Sequence, residues 1–190
     1  MARRVCPWWV GFLLVTPLRR LVQNPERILA PFVTAGMTVL EVGPAMGFFT
    51  LPLASLAGPT GRVVCVDVQE RMLRSLAKRA RAARLAERIV ARVCPPTSLG
   101  LDDYVGRIDF ALTFAVVHEM PEPSRFFADV ARLLKPGAVC LVAEPKGHVA
   151  APDFEATLAA AAQAGLDLVG RPEIRRSRAA TLTRRQREAS

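Results

Sequence analysis

From Met37 onward, short apolar runs alternate with stretches of helical length. Five runs are each followed by a helical or polar stretch, namely TVLEV, RVVCVDV, RIVARVC, IDFALTFAVV and AVCLVAE, and the runs LDLVG and AATLT close the chain. Runs that are apolar almost throughout, separated by helices, are typical of a mostly parallel sheet covered on both faces. The sequence therefore predicts an α/β fold in three layers, with a ligand site beyond the carboxyl ends of the strands.

The spacing predicts helices over 48–57, 70–86, 124–134 and 153–164, with a short polar helix or loop over 99–105. Asn24 and Pro25 predict the start of an earlier helix, because Asn is a good N-cap and Pro fits the first turn. We expect a helical N-terminal segment over 1–36, one α/β domain over 37–183 and a disordered tail over 184–190.

Charge and cysteine content exclude little. The 26 Lys and Arg against 17 Asp and Glu give a net charge of +9, which permits a nucleic-acid or membrane partner. The arginines are scattered and are not interleaved with aromatic residues, so nucleic acid is not favoured. The four cysteines lack metal-ligand spacing, so we expect no metal site. Cys65 and Cys140 fall in apolar strand patterns, which indicates buried thiols, and a reducing cytoplasm is the expected location.

The N-terminal stretch CPWWVGFLLVTPLRRL follows two arginines and imitates a signal peptide. Its apolar run over 8–15 is far too short to span a membrane and lacks a small-residue cleavage site, so we expect no transmembrane segment. We hypothesise that Trp8, Trp9 and Cys6 form a lid over the cofactor cleft. Packing against the outer helices or at an interface is the alternative.

A glycine-rich loop follows the first apolar run. Glu41, Gly43, Ala45 and Gly47 have the spacing E-x-G-x-[GA]-x-G, and Phe48 stands where a dinucleotide loop needs its third glycine. The ring would block a pyrophosphate, so a nicotinamide or flavin cofactor is not favoured. Ala45 is tolerable if its φ is negative and harmful if the loop needs a positive φ.

This loop resembles the first motif of class I S-adenosylmethionine-dependent methyltransferases, and CVDVQERML and the segment 108–138 extend the resemblance over about 37–182. It implies a Rossmann-like fold with a seven-stranded, mostly parallel sheet whose last strand is antiparallel, and S-adenosylmethionine as the cofactor. Glu41 would then hold the ammonium side of the cofactor, directly or through water. Asp67 would accept the ribose hydroxyls, and Val68 and Met72 would flank the adenine. A simple helix-capping role is the alternative for Asp67.

Two positions depart from the family pattern. Pro95 stands where the family commonly has an Asp for the adenine amino group, with Cys94 before it, so Thr97, Ser98 or a backbone carbonyl would replace that contact. Phe114 stands where relatives often carry a polar residue. The Asp/Asn-Pro-Pro motif of DNA and protein-glutamine methyltransferases is absent, which disfavours exocyclic base amines as acceptors.

Both histidines of the sequence fall after predicted strands. His118 and Glu119 are the candidate general base or acceptor-orienting pair, because His titrates near neutral pH. Helix capping or packing is the alternative for His118. Glu144, Lys146 and His148 could contact an acidic or metal-bearing substrate, although two histidines without a spacing motif do not predict a metal site.

The sequence predicts a methyltransferase acting on a small-molecule acceptor, whose identity and whose oligomeric state it leaves open. An RNA methyltransferase is the first alternative, suggested by the basic charge. A cofactor-binding regulator or subunit without turnover is the second, suggested by Ala45, Pro95 and Phe114. A nicotinamide oxidoreductase is the most remote.

Overall fold

The computed structural model describes residues 22–185. The proposed lid residues Trp8, Trp9 and Cys6 lie outside the described residues, as does the stretch 186–190. The strands are β1 (Thr38–Val42), β2 (Arg62–Asp67), β3 (Ile89–Val93), β4 (Ile108–Phe114), β5 (Leu134–Pro145), β6 (Leu166–Gly170) and β7 (Ser177–Arg184). The α-helices are α1 (Pro25–Leu29), α2 (Thr50–Leu56), α3 (Glu70–Ala82), α4 (Pro123–Leu133) and α5 (Ala151–Gln163). Within 22–185, no helix is both long and apolar enough to cross a bilayer.

The strands form one seven-stranded sheet in the order β3-β2-β1-β4-β5-β7-β6. The pairs β1–β2, β2–β3 and β4–β5 are parallel, whereas β7 is antiparallel to both of its neighbours, β5 and β6. The predicted α/β fold, with a mostly parallel sheet of seven strands and an antiparallel last strand, is confirmed. The helix start predicted at Asn24 is also confirmed, since the Asn24 side chain accepts a hydrogen bond from the Arg27 N–H at 2.9 Å.

The chain divides into two compact units, which the described residues represent as 22–95 and 96–185. In the first unit, β1 and β2 pair in register and their apolar side chains are buried. Leu53 of α2 and Leu76 of α3 are also fully buried in this unit. The Arg88 guanidinium donates a hydrogen bond to the Ala54 carbonyl at 3.2 Å and so ties the turn before β3 to α2.

In the second unit, β5 pairs with β4 on one side and with β7 on the other. The long apolar strand β5 is therefore central here, and Phe110, Phe127 and Leu141 are almost fully buried. At the surface, Arg132 forms an ion pair with Asp102 at 2.7 Å, and other exposed ion pairs join further elements of this unit. Such exposed pairs contribute little stability, so the apolar core dominates.

Two boundaries differ from the expectation. The strand predicted to run to Val117 ends at Phe114, because Ala115 has a φ of 58° and leaves the extended region. At the other end of the chain, β7 includes Arg184, and Arg185 pairs with Asp167 at 2.5 Å. The described structure therefore continues two residues past the predicted start of the tail.

Candidate functional site

The loop after β1 has alternating left-handed residues. Gly43, Ala45 and Gly47 have φ values of 69°, 48° and 88°, and α2 begins soon afterwards at Thr50. Glycine adopts this region without cost, whereas an L-residue with a Cβ pays about 1–2 kcal/mol. The positions at which the sequence pattern has small residues are thus the ones with positive φ. Ala45 differs from the two glycines because it carries a methyl group there.

Helix α3 holds the loop in place. A Cβ added at Gly47 would lie only 2.5 Å from Cδ1 of Leu76, so this position has no space for a side chain. The Arg79 guanidinium donates a hydrogen bond to the Met46 carbonyl. Close packing and this charged hydrogen bond together fix a loop in which Ala45 has an unfavourable backbone conformation.

Glu41 lies at the end of β1 and is only 3% exposed. Its Oε2 accepts a hydrogen bond from the Thr50 hydroxyl at 2.6 Å and faces the Cys65 sulfur at 3.9 Å. Burial raises the pKa of Glu41 from 4.5 to about 7, against the lowering effect of the Thr50 and Cys65 hydrogen bonds, and the Asp67 charge raises it further. This carboxyl group therefore changes its charge near neutral pH.

Asp67 ends β2 and is also nearly buried. Its Oδ1 accepts a hydrogen bond from the Gln69 N–H at 2.8 Å, which closes the turn before α3. Burial raises the pKa of Asp67, and hydrogen bonds from the backbone N–H groups of Gln69, Ala45 and Val68 oppose that increase. The contact with Ala45 links the end of β2 to the glycine loop.

The remaining predicted cofactor residues of this unit lie after β2 and β3. Val68 is 36% exposed, whereas Met72 is buried in α3. The Cys94 N–H donates a hydrogen bond to the Asp67 carbonyl at 3.1 Å, and Pro95 follows it with an exposed side chain. Burial raises the pKa of Cys94 to about 11, so its thiol is neutral near pH 7 and is a poor nucleophile.

In residues 96–185, a buried carboxylate holds a histidine. Glu144, near the end of β5, is fully buried, and its Oε1 accepts a hydrogen bond from the Val117 N–H at 2.7 Å. Its Oε2 lies 2.5 Å from Nδ1 of His118. Because a carboxylate accepts hydrogen bonds and does not donate them, we assign the proton to Nδ1, which leaves Nε2 as an acceptor.

The hydrogen bond between His118 and Glu144 was not predicted from the sequence. Both residues fall near the ends of predicted strands, and pairing β4 with β5 would have indicated that their side chains lie close together. The short 3-10 helix Val117–Glu119 turns His118 towards Glu144, and this turn follows from the left-handed Ala115.

Other predicted residues lie near this pair along the chain. The exposed His148 ring lies 5.8 Å from the His118 ring, centroid to centroid, at an interplanar angle of 66°. Glu119 shares the 3-10 helix with His118, and Phe114 is a partly buried residue at the end of β4. Within 22–185, no cluster of three or more His, Cys, Asp or Glu side chains could hold a metal ion.

Residues 33–174 match the model of a family described as a methyltransferase domain. The chain belongs to this family. Arsenite methyltransferase from Halobacterium salinarum is 32% identical over 114 residues, which are 60% of this chain and 28% of that protein. Ubiquinone biosynthesis O-methyltransferase from Caulobacter vibrioides is also 32% identical over 114 residues, which are 60% of this chain and 42% of that protein. The chain thus spans less than half the length of these two curated relatives.

Among solved structures, a SAM-dependent methyltransferase from Aquifex aeolicus has a TM-score of 0.85 and 23% identity, covering 95% of this chain and all of that one. This likeness shows the fold. The family match confirms the class predicted from the sequence, the S-adenosylmethionine-dependent methyltransferases, and with it the cofactor.

We expect Glu41→Gln to change how stability depends on pH. Because the pKa of Glu41 is about 7 in the folded chain and 4.5 ordinarily, the folded state holds this proton more tightly between those values. The free energy of unfolding therefore falls as pH rises through this window, by about 3 kcal/mol for this group. Urea unfolding at pH 4.5, 6 and 8 should show that Glu41→Gln is relatively more stable at pH 8. An unchanged difference between variant and wild type across the range would contradict the assignment.

We expect Ala45→Gly to relieve the left-handed strain in the loop. It should raise the free energy of unfolding by about 1 kcal/mol, because glycine removes the steric cost and returns only part of it as chain entropy. It should also tighten S-adenosylmethionine binding, measured by calorimetry, because more of the free loop is then in the binding conformation. Arg84→Gly is the matched control, since Arg84 has a φ of 58° outside the loop. That control should change stability and leave affinity unaltered.

Proposed function

We propose that this methyltransferase transfers the methyl group of S-adenosylmethionine to a small-molecule acceptor, and that His118 removes the proton of that acceptor. The observation that carries the proposal is the His118–Glu144 hydrogen bond, which assigns the ring proton to Nδ1 and so leaves Nε2 as the basic nitrogen of His118. The two relatives named above support a small acceptor, since one is named for arsenite and the other for ubiquinone biosynthesis.

Residues 22–95 supply the chemistry that fits the cofactor. The left-handed loop and the buried Glu41 and Asp67 suit a cationic nucleoside, whereas a phosphate would be repelled by the two carboxylates. Glu41 is proposed to hold the ammonium side of the cofactor, directly or through water. Asp67 keeps acceptor capacity beyond its hydrogen bond with Gln69, which suits the ribose hydroxyls.

The other proposed contacts follow the order of the sequence. The backbone at Gly43, Ala45 and Gly47 would run along the amino-acid part of the cofactor, as the resemblance to the family motif implies. The adenine contacts are proposed at Val68, Met72, Cys94 and Pro95. Phe114 stays a predicted cofactor residue.

The reaction needs little from the protein besides position and, for some acceptors, a base. When bound, the cofactor supplies an electrophilic methyl group on a sulfonium sulfur, with a neutral thioether as the leaving group. His118 takes the acceptor's proton on Nε2, and Glu144 stabilises the imidazolium that forms while holding the ring through Nδ1. Glu119 stays a predicted catalytic residue that could orient the acceptor.

A nucleic-acid acceptor is the second candidate, favoured by the exposed face of α3. Four cations follow one another at helical spacing on that face, namely Arg71, Arg74, Lys78 and Arg81. A partner held by such a stripe would bind more weakly as salt increases. Turnover that falls steeply between 50 and 200 mM salt with RNA, and is absent with small acceptors, would favour this candidate.

Calorimetry with S-adenosylmethionine, followed by assay of S-adenosylhomocysteine release with thiol, phenol, amine and carboxylate acceptors, tests the proposal. We expect binding and acceptor-dependent release that varies little with salt. Binding without release for any acceptor would instead support a regulatory subunit, and a failure to bind the cofactor would contradict the whole proposal.

For any acceptor that is turned over through loss of a proton, we expect His118→Gln to lower kcat by about 10²–10⁴-fold. Glu144→Gln should give a comparable loss while the chain stays folded, because an amide N–H donated to Nδ1 would move the ring proton to Nε2. Cofactor affinity should be unchanged in both variants. Nitrogen-15 NMR of the ring reads the tautomer directly.

His148→Gln is the control for this experiment, and Glu119→Gln tests the other residue that could orient the base or the acceptor. Within residues 22–185, His148 forms no hydrogen bond with the Glu144 carboxylate, so its loss should have a much smaller effect. If Glu119→Gln abolishes turnover and Glu144→Gln does not, the base is oriented by Glu119 and the assignment made here is wrong.

A further inference from the structure

A cavity of about 620 Å³ lies within residues 96–185, apart from the His118–Glu144 pair. Its walls are the segment after β5, the start of α5, the loop between β6 and β7 and the first residues of β7. The volume is in the range of small-molecule sites. The loops that form it leave the carboxyl ends of β5 and β6, which is the edge of a parallel sheet where ligands bind.

The charged lining of this cavity is mainly positive. Four cations and two carboxylates contribute to it, namely Lys146, Arg171, Arg175, Arg178, Glu155 and Glu173. Arg171 forms two hydrogen bonds of 2.8 Å with Glu155, so this pair neutralises itself. Lys146 is exposed and forms no ion pair with any other residue between 22 and 185. The positive charge that remains can attract an anion.

Four uncharged side chains of the lining are buried. Phe154, Ile174 and Ala179 are apolar and between 2% and 7% exposed, and Ser177 adds a hydroxyl group and is 5% exposed. Apolar side chains beside cationic ones fit a molecule that has both an apolar part and an anionic group, because each half then meets its own kind of surface.

Two residues of the cavity wall are linked to the proposed base by chain position and by strand pairing. Lys146 lies between Glu144, which binds His118, and His148, whose ring faces His118. Arg178 is the cross-strand partner of Glu144 in the β5–β7 register, so the two side chains share a face of the sheet. Nε of Arg178 donates a hydrogen bond to the Val149 carbonyl at 3.1 Å, which fixes the arginine at the cavity wall.

We infer that this cavity binds the anionic end of the methyl acceptor, so that the substrates are small molecules with a carboxylate or phosphate beside an apolar part. That the bound anion is the methyl acceptor rests on the proposed function. The binding of an apolar anion in this cavity does not depend on that function, and it can be measured on the full chain without turnover.

The probe pair is 8-anilinonaphthalene-1-sulfonate and the neutral N-phenyl-1-naphthylamine, which differ by the sulfonate group. We expect Lys146→Gln to weaken binding of the sulfonate about threefold and Lys146→Glu about tenfold, since the rim is partly exposed. Binding of the neutral probe should not change. Amide NMR shifts at Ile174 and Ala179 locate the sulfonate in the cavity.

Arg125→Gln and Arg125→Glu are the matched controls, because Arg125 is exposed on α4, outside the cavity, and the charge change is the same. They should leave both affinities unaltered. Equal weakening by the Arg125 variants, equal weakening for both probes, or NMR shifts confined to other residues would overturn the inference.

Benzoate, phenyl phosphate and phenol serve as competitors for the bound sulfonate. Displacement by benzoate or by phenyl phosphate, and not by phenol, supports an anion site and tells a carboxylate from a phosphate. Displacement by phenol alone overturns the anion site.

Calorimetry with S-adenosylmethionine on the same variants separates the cavity inference from the proposed function. A chain that binds the cofactor but does not discriminate the probes fails only the cavity inference, and one that discriminates the probes but does not bind the cofactor fails the proposed function.

Discussion

The hydrogen bond from the Thr50 hydroxyl to the Glu41 carboxyl group, 2.6 Å long and fully buried, joins the end of β1 to the first turn of α2. The loop between these two residues is unfavourable on its own, because three of its residues have positive φ and one of them is Ala45. The anchored ends, the packing of Gly47 against Leu76 and the Arg79 hydrogen bond keep it in shape. Strain of this kind persists only where the surrounding structure determines it, and it is common at ligand sites.

A second buried carboxylate organises residues 96–185 in a similar way. Glu144 satisfies one oxygen with the Val117 N–H and the other with His118. A buried carboxylate without such partners would cost several kcal/mol, so the turn at 117–119 and the histidine orientation are coupled to it. In both units a strand delivers an acidic side chain to its carboxyl end, and burial there makes the acid's hydrogen bonds necessary.

Much of the fold was predictable from the sequence. Apolar runs separated by helices indicate a parallel sheet whatever the details of packing, so all seven strands were predicted. A glycine turn after β1 was predictable from the small residues at 43, 45 and 47, but the sequence left the sign of φ at Ala45 open, and the structure gives it as positive. The end of β4 was not, because nothing in the letters FAVVHE shows that Ala115 turns left-handed. The Glu144–His118 pair was missed since it joins residues 26 positions apart, whose contact depends on strand register.

The sequence by itself determined the order of elements, the family and the residue types at the strand ends, because periodicity and motif spacing are local properties of the chain. The tertiary structure alone decided the charge behaviour of Glu41, the partner and tautomer of His118, and the cationic cavity beside β5. Each of these depends on which distant side chains are brought together and on how far they are removed from water. Burial raises the pKa of Glu41 to about 7, although nothing in the neighbouring letters distinguishes this glutamate from an exposed one.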